Sequence, residues 1–194
     1  MRISLYSQKE ALFQRQRQRL FAPLFSLFTR VNITPLFLTA VGLLCGLIAA
    51  ILVPFHLRWS AIFLLLHLLF DMMDGSYARY EKTASDKGAF LDIASDMIVI
   101  LALALALIFT RALHPVIGAA FLFVYLVLVI FLIARNQMNI PAPFSLRMRP
   151  VFYVTFFVFV LFEINPLSLV LGLATAIMTI GCIADAYAIH QKLS

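Results

Sequence analysis

DMMDGSYAR at residues 71–79 and GAFLDIASD at residues 88–96 form the joint between two strongly apolar segments. The four aspartates of this joint are Asp71, Asp74, Asp92 and Asp96. Carboxylates are costly at membrane depth, so those that occur there usually serve a function. Because small residues and an arginine stand between them, the pattern predicts a metal-dependent site that acts on a phosphate compound.

The composition indicates which solvent surrounds this joint. The chain has 194 residues, of which 63% are hydrophobic and only 12% are charged. No soluble domain of this size needs so much apolar surface, so we expect an all-α integral membrane protein. The net charge of +6 could indicate nucleic-acid binding, but its distribution follows membrane topology instead, and no nucleic-acid partner is expected.

Six apolar segments can be drawn as transmembrane helices across a hydrocarbon core of about 30 Å, the fifth being the shortest. Several begin with proline, which suits the first turn of a helix, and Thr34 is expected to cap the first of them. The segments are Pro35–Phe55, Trp59–Arg79, Gly88–Thr110, Pro115–Ala134, Pro150–Ile164 and Pro166–Ile189.

The basic residues divide unequally between the two sides of a six-span chain. Of the 15 lysines and arginines, only Arg58 and Arg111 fall on one side. Positive residues concentrate on the cytoplasmic side of membrane proteins, so both termini and the aspartate joint are expected in the cytoplasm. The expected location is the plasma membrane of a bacterium.

Residues 1–33 are expected to form a basic juxtamembrane segment, and residues 34–194 the six-span domain. The first segment lacks the continuous apolar stretch of a secretory signal. Its apolar residues recur at near-helical spacing, which predicts an amphipathic helix at the cytoplasmic interface, bent near Pro23. The alternative is a loose basic tail that only sets the topology.

Helical geometry groups the aspartates on two faces. At about 3.6 residues per turn, Asp74 lies about 60° from Asp71 around the second span. Asp92 and Asp96 are four residues apart on the third span, which places them about 40° apart. Two antiparallel helices joined by a short loop could bring these faces together.

Four converging carboxylates would repel one another strongly in a medium of low dielectric, and a divalent cation would remove that repulsion. An all-oxygen site suits Mg²⁺, Mn²⁺ or Ca²⁺, and this many carboxylates could hold two ions. Arg79 and Lys87 would face a phosphate-bearing ligand, while Gly75, Ala78 and Gly88 would let it approach the backbone. The other interpretation of the three small residues is close helix packing.

These residues match a known family. The pattern DxxDGxxAR, followed after eight residues by GxxxDxxxD, resembles the signature of the CDP-alcohol phosphotransferases (phosphatidyltransferases), and all eight signature positions are present. The stretch TPLFLTAVG at residues 34–42, the six spans and the basic start agree, so the resemblance covers nearly the whole chain. The chain departs from many relatives at Met97, where they have a basic residue.

The resemblance implies a reaction in phospholipid synthesis. A CDP-linked lipid, expected to be CDP-diacylglycerol, would bind at the cytoplasmic face, an acceptor hydroxyl would attack the phosphate distal to the cytidine, and CMP would leave. Asp71, Asp74, Asp92 and Asp96 would bind two Mg²⁺ or Mn²⁺ ions, and Asp96 would also be the general base.

The resemblance further implies that Gly75, Ala78, Arg79 and Gly88 line the CDP pocket, with Arg79 near the diphosphate. The partners it implies are the CDP-linked lipid, a small alcohol acceptor, the bilayer and a second copy of the chain in a homodimer.

The acceptor is less clearly indicated. Arg135, Arg147 and Arg149 lie together on the fourth connection and could hold the phosphate of glycerol 3-phosphate or inositol phosphate, or they could be topology charges beside anionic lipids. Asp185 could pair with an arginine or line the acceptor cavity. His67, one turn before the first aspartate, is expected to be a core residue rather than a ligand.

Two other classes of protein use acidic clusters in membranes. A divalent-cation transporter would favour broken helices near the midplane and internal repeats. A prenyl-diphosphate transferase would show two separated acidic motifs and more spans. The arginine beside the joint favours a phosphate ligand over a bare cation, and neither a second acidic motif nor further spans are visible in the sequence.

Overall fold

The computed structural model describes residues 21–138, 140 and 148–193, and this part of the chain contains seven helices and no strand. The all-α prediction is therefore confirmed. Residues 21–30 form α1, and the remaining helices are α2 (Pro35–Leu52), α3 (Leu57–Tyr80), α4 (Asp86–Phe109), α5 (Pro115–Gln137), α6 (Met148–Phe162) and α7 (Leu167–Leu193).

Five of the described helices, α2 to α5 and α7, are long and apolar enough to cross a membrane. The apolar helix α6 has only 15 residues and rises about 22 Å, which is less than the hydrocarbon core of about 30 Å. Its C-terminal end is fixed at Glu163, which adopts a left-handed backbone conformation with φ of 57°. The expected six apolar segments are all helical, and the fifth is the shortest, as its sequence indicated.

The predicted juxtamembrane helix is described only from residue 21, and Pro23 lies inside its helical part. Phe25 is fully buried, whereas Leu24 and Leu27 are exposed, so α1 has one packed and one open apolar face. The residues before 21, and with them the predicted bend, lie outside the described part of the chain. The division into residues 1–33 and 34–194 remains a prediction.

Local sequence signals explain the ends of the helices that carry the aspartates. Thr34 caps α2 as predicted, because its hydroxyl accepts the Phe37 N–H at 3.3 Å. The helix α3 ends at Tyr80, after which Lys82 adopts a φ of 57° and the Thr83 N–H donates to the Ala78 carbonyl at 2.9 Å. Ser85 then caps α4 through the Gly88 N–H, so only a short turn separates the two aspartate pairs.

The chain forms two compact units, and the first contains the described residues up to Ile48 together with Ile62–Val99. Two of its helices, α2 and α4, approach closely at a glycine. A methyl group at Gly46 would lie 2.4 Å from Val99 Cγ2, so α2 and α4 touch at this point. At the other end of the unit, Phe25 packs against Tyr77 with ring centroids 5.3 Å apart, which fixes α1 to the end of α3.

The second unit comprises Ala49–Ala61 and the described residues from Ile100 onward. In it, α7 packs along α5 and also against α6. Arg135 on α5 and Asp185 on α7 form an ion pair in which each residue is about 95% buried, with 4% and 5% exposed. This pair confirms the first of the two alternatives for Asp185, that it pairs with an arginine.

Candidate metal centre at the joint of α3 and α4

Three of the four aspartates converge. Asp71 on α3 and Asp92 and Asp96 on α4 each offer a carboxylate oxygen, and these oxygens all lie within 4.8 Å of one another. Asp96 is buried, while the other two are half-buried. The donor set consists of oxygen atoms alone, which is the chemistry that Mg²⁺, Mn²⁺ and Ca²⁺ prefer. We call these three residues the carboxylate cluster.

Asp74 lies outside this cluster, although it is on the same helix as Asp71. Its side chain is only 4% exposed. One carboxylate oxygen accepts the hydroxyl of Thr39 on α2 at 2.6 Å, and the other accepts the Gly75 N–H at 2.5 Å. The 60° between the two aspartates around α3 explains the difference, because Asp71 points toward α4 while Asp74 points toward α2.

His67 approaches the cluster from behind. Its ring is buried, with Nδ1 lying 3.0 Å from the carbonyl oxygen of Gly42 and Nε2 lying 3.6 Å from Asp96 Oδ1. The expectation that His67 is a buried core residue is correct as to burial, but sequence reasoning missed its contact with Asp96. The available signal was its position one helical turn before Asp71, which places it on the same face of α3.

The small residues of the pattern are open rather than packed. A methyl group on Gly75 would meet only the guanidinium of Arg79, at 3.6 Å, and one on Gly88 would meet only the hydroxyl of Ser85, at 3.4 Å. At Gly42, in contrast, it would lie 3.2 Å from Phe70 Cβ on the neighbouring helix. Among the described residues, helix packing therefore accounts for Gly42 and leaves the other two glycines unexplained.

The basic residues of the predicted site are placed as follows. Arg79 is exposed at the end of α3, and its guanidinium lies back over Gly75. Lys87 is exposed in the first turn of α4. Of the three acceptor arginines, Arg135 is buried against Asp185, Arg149 is half-buried at the start of α6, and Arg147 lies outside the described residues.

A known protein family matches the part of the chain that contains these residues. A family model for CDP-alcohol phosphatidyltransferase matches residues 32–185, which is well over half of the chain and includes every aspartate discussed above. The phosphatidylinositol phosphate synthase of Corynebacterium glutamicum is 37% identical to the chain over 84 residues. That alignment covers 42% of the chain and only 38% of the relative's length.

Two crystal structures of phosphatidylinositol phosphate synthase from Mycobacterium tuberculosis have the same fold. The structure with CDP-DAG bound has a TM-score of 0.76 and covers 88% of this chain and 94% of that one. The structure in complex with manganese and citrate has a TM-score of 0.73 and covers 86% and 87%. The sequence identity is 22% in both cases, so this likeness concerns the membrane fold alone.

Proposed function

The chain belongs to the CDP-alcohol phosphatidyltransferase family, and from that premise we propose that it transfers a phosphatidyl group from CDP-diacylglycerol to a phosphorylated polyol. The donor supplies the phosphatidyl group and CMP is released. Inositol phosphate is the first candidate acceptor, because the similar proteins from Corynebacterium glutamicum and Mycobacterium tuberculosis are phosphatidylinositol phosphate synthases. Glycerol 3-phosphate is the second.

The observation that carries this proposal is the carboxylate cluster. Two oxygens that bind the same Mg²⁺ or Mn²⁺, each at a metal–oxygen distance of about 2.1 Å, lie at most about 4.2 Å apart. The carboxylate oxygens of the cluster lie within 4.8 Å of one another, so each oxygen–oxygen distance would have to shorten by less than about 1 Å. Asp71, Asp92 and Asp96 would hold the first ion, and Asp74, oriented by the hydroxyl of Thr39, would contribute to a second. When bound, the ions neutralise the diphosphate and stabilise the departing CMP.

Asp96 is proposed as the general base because it is the most buried member of the cluster. Its carboxylate takes the proton of the acceptor hydroxyl, and the hydroxyl oxygen forms a bond to the phosphorus that carries the lipid. The bond from that phosphorus to the bridging oxygen breaks, and its electron pair leaves on CMP. The same carboxylate would therefore contact both the metal and the acceptor. Asp96 lies where α3 and α4 meet, beside the other two members of the cluster.

The open glycines support the CDP pocket. Because no described neighbour closes over Gly75 or Gly88, a nucleotide could lie against the backbone there. The exposed guanidinium of Arg79, lying over Gly75, is placed to bind the diphosphate through charge-assisted hydrogen bonds. Ala78 is half-buried and lies about one helical turn after Gly75. It would line the same CDP pocket.

For the acceptor phosphate we propose Arg135, Arg147 and Arg149. Arg149 is half-buried at the start of α6, and a guanidinium there suits bidentate phosphate binding. Arg135 already holds Asp185 through Nη1, so it would bind phosphate with its remaining donors. Its Nε is buried and has no hydrogen-bond partner among the described residues.

The proposal also covers the setting of the enzyme. The chain is an integral membrane protein, and the distribution of its basic residues supports a cytoplasmic active site and cytoplasmic termini. A homodimer is proposed from the family. The alternative of a divalent-cation transporter has no observation in its favour beyond the acidic cluster itself.

The test uses the purified full-length chain in detergent or nanodiscs with CDP-diacylglycerol and Mg²⁺ or Mn²⁺. Inositol phosphate, glycerol 3-phosphate, inositol and glycerol are supplied in turn, and CMP release is measured. We expect release with a phosphorylated acceptor. A folded protein that releases no CMP with any of the four would contradict the proposal.

Asp96→Asn is expected to lower CMP release by about 10²–10⁴-fold while largely sparing CDP-lipid binding. Asp86→Asn is the matched control, since Asp86 is exposed at the start of the same helix and outside the cluster. Full activity in the Asp96 variant would remove this residue as the base.

A further inference from the structure

His67 joins three helices of the first unit at one buried point. It lies on α3 with 1% of its surface exposed, and its ring reaches Gly42 on α2 and Asp96 on α4. From this geometry we propose that His67 is a positioning residue that holds the Asp96 carboxylate in the orientation needed for metal binding and for the acceptor hydroxyl. The inference rests on the function proposed above.

The contact with α2 determines how the ring is turned. A backbone carbonyl only accepts hydrogen bonds, so the hydrogen on Nδ1 is assigned to the bond with Gly42 O at 3.0 Å. With Nδ1 directed to α2, the opposite edge of the ring, at Nε2, faces Asp96 at 3.6 Å. The ring therefore transmits the position of the α2 backbone to the carboxylate.

Close packing of α2 and α3 makes this anchor possible. A methyl group on residue 42 would lie 3.2 Å from Phe70 Cβ and 3.7 Å from the carbonyl oxygen of His67 itself. The absence of a side chain at Gly42 thus lets the two backbones approach until the imidazole reaches the carbonyl. Gly42 therefore has two roles: it allows α2 and α3 to pack closely, and its carbonyl oxygen holds the ring that contacts Asp96.

A purely structural role would need only the bond to α2. Ser60, about two turns earlier on α3, makes a bond of that kind, because its buried hydroxyl donates to the Ala49 carbonyl at 2.7 Å. His67 adds a second polar edge directed at a carboxylate of the cluster. Groups that orient a metal ligand from behind typically change metal affinity or activity by about 10- to 100-fold when removed.

Two substitutions separate the edges of the ring. The amide of His67→Asn falls near the position of Nδ1 and keeps a donor toward Gly42, whereas the amide of His67→Gln falls near Nε2 and keeps a polar group facing Asp96. We expect His67→Asn to lower kcat and to weaken Mn²⁺ binding by about 10- to 100-fold, with little change in the KM for CDP-diacylglycerol. His67→Gln loses the bond to α2 but keeps a polar group facing Asp96, so it should lose less than about 10-fold in either quantity.

The measurements are CMP-release kinetics, Mn²⁺ affinity from the electron paramagnetic resonance signal of free Mn²⁺, and the thermal unfolding midpoint. Ser60→Ala is the control: it should lower the unfolding midpoint without changing Mn²⁺ affinity or kcat. If His67→Asn does not fold, the comparison of His67→Gln with Ser60→Ala is decisive, and a Gln variant that loses more than about 10-fold in Mn²⁺ affinity overturns the proposal.

A His67→Asn variant with wild-type kcat and Mn²⁺ affinity would overturn the positioning role, as would equal losses in the Asn and Gln variants. Failure of the proposed function looks different: the wild type would then release no CMP, while the Mn²⁺ affinities of the variants would still decide the role of His67.

Discussion

Carboxylates are buried in two regions of this molecule, and they are stabilised in different ways. In the second unit, Asp185 on α7 faces Arg135 on α5, so the chain supplies the opposite charge itself. In the first unit, the oxygens of Asp71, Asp92 and Asp96 gather within 4.8 Å, so three like charges are brought together. An internal ion pair needs nothing from outside the chain, whereas a cluster of one sign is suited to hold a cation.

The difference separates stability from function. Removing one member of a buried ion pair leaves the other charge uncompensated, and the free energy of unfolding falls. Removing one member of a like-charge cluster relieves repulsion, so the metal-free protein loses no stability while the metal site is lost. Substitutions in the ion pair should therefore change stability, and substitutions in the carboxylate cluster should change metal binding.

The largest effect is expected for Asp92→Asn. With one metal ligand replaced by a neutral amide, CMP release and Mn²⁺ affinity should both fall by at least about 100-fold. In EDTA the thermal unfolding midpoint should be no lower than that of the wild type, because a repelling charge has been removed. The control is Asp86→Asn, which should match the wild type in all three measurements. A midpoint in EDTA that falls as far as that of an Asp185 variant would contradict the contrast.

Asp185→Leu should act through stability instead. It leaves the guanidinium of Arg135 buried without its carboxylate, which should lower the free energy of unfolding by about 3–5 kcal/mol. The double variant Arg135→Leu/Asp185→Leu should regain most of that loss, because a matched apolar pair replaces the ion pair. Denaturant unfolding in detergent measures both, and a double variant as unstable as the single one would exclude the pair as the cause.

The double variant also tests Arg135 as an acceptor contact. If Arg135 binds the acceptor phosphate, the stable double variant should show a raised KM for inositol phosphate and an unchanged KM for CDP-diacylglycerol. Unchanged constants for both substrates would assign Arg135 to stability alone.

The sequence predicts much of this molecule because strong local signals decide it. The apolar runs specify the membrane helices, Thr34 caps α2 as expected, and an arginine partner is one of the two roles that the sequence allows for Asp185. The spacing of the aspartates predicts that their carboxylates converge between α3 and α4, which is correct for Asp71, Asp92 and Asp96 and wrong for Asp74.

Features that depend on three helices at once were not predictable. The contact of His67 with Asp96 requires the approach of α2 at Gly42, which no periodicity encodes. Whether a glycine packs or stays open was equally undetermined: Gly42 meets Phe70, while Gly75 meets only Arg79. The neighbouring helix decides both outcomes.

The smallest effect is expected for Thr39→Val, which tests Asp74, the one buried aspartate of the described residues that belongs to neither the ion pair nor the carboxylate cluster. Asp74 is buried but held by a neutral hydroxyl, at 2.6 Å from Thr39 Oγ1. A hydrogen bond to a charged group contributes about 1.5–3 kcal/mol, and the lower end of that range is expected here because the Gly75 N–H still holds the other oxygen of Asp74. If Thr39 orients Asp74 for a second ion, Mn²⁺ affinity should therefore weaken by roughly 10-fold. Thr39→Ser keeps the hydroxyl and should behave like the wild type.

Thr155→Val is the control for Thr39→Val, since the Thr155 hydroxyl donates only within its own helix, to the Val151 carbonyl at 2.7 Å. If Thr39 instead restrains Asp74 away from the metal, the Thr39→Val variant would bind Mn²⁺ more tightly than the wild type. A tighter site would place the hydroxyl in competition with the ion. Asp74 would then be a ligand that the second ion must first release from Thr39.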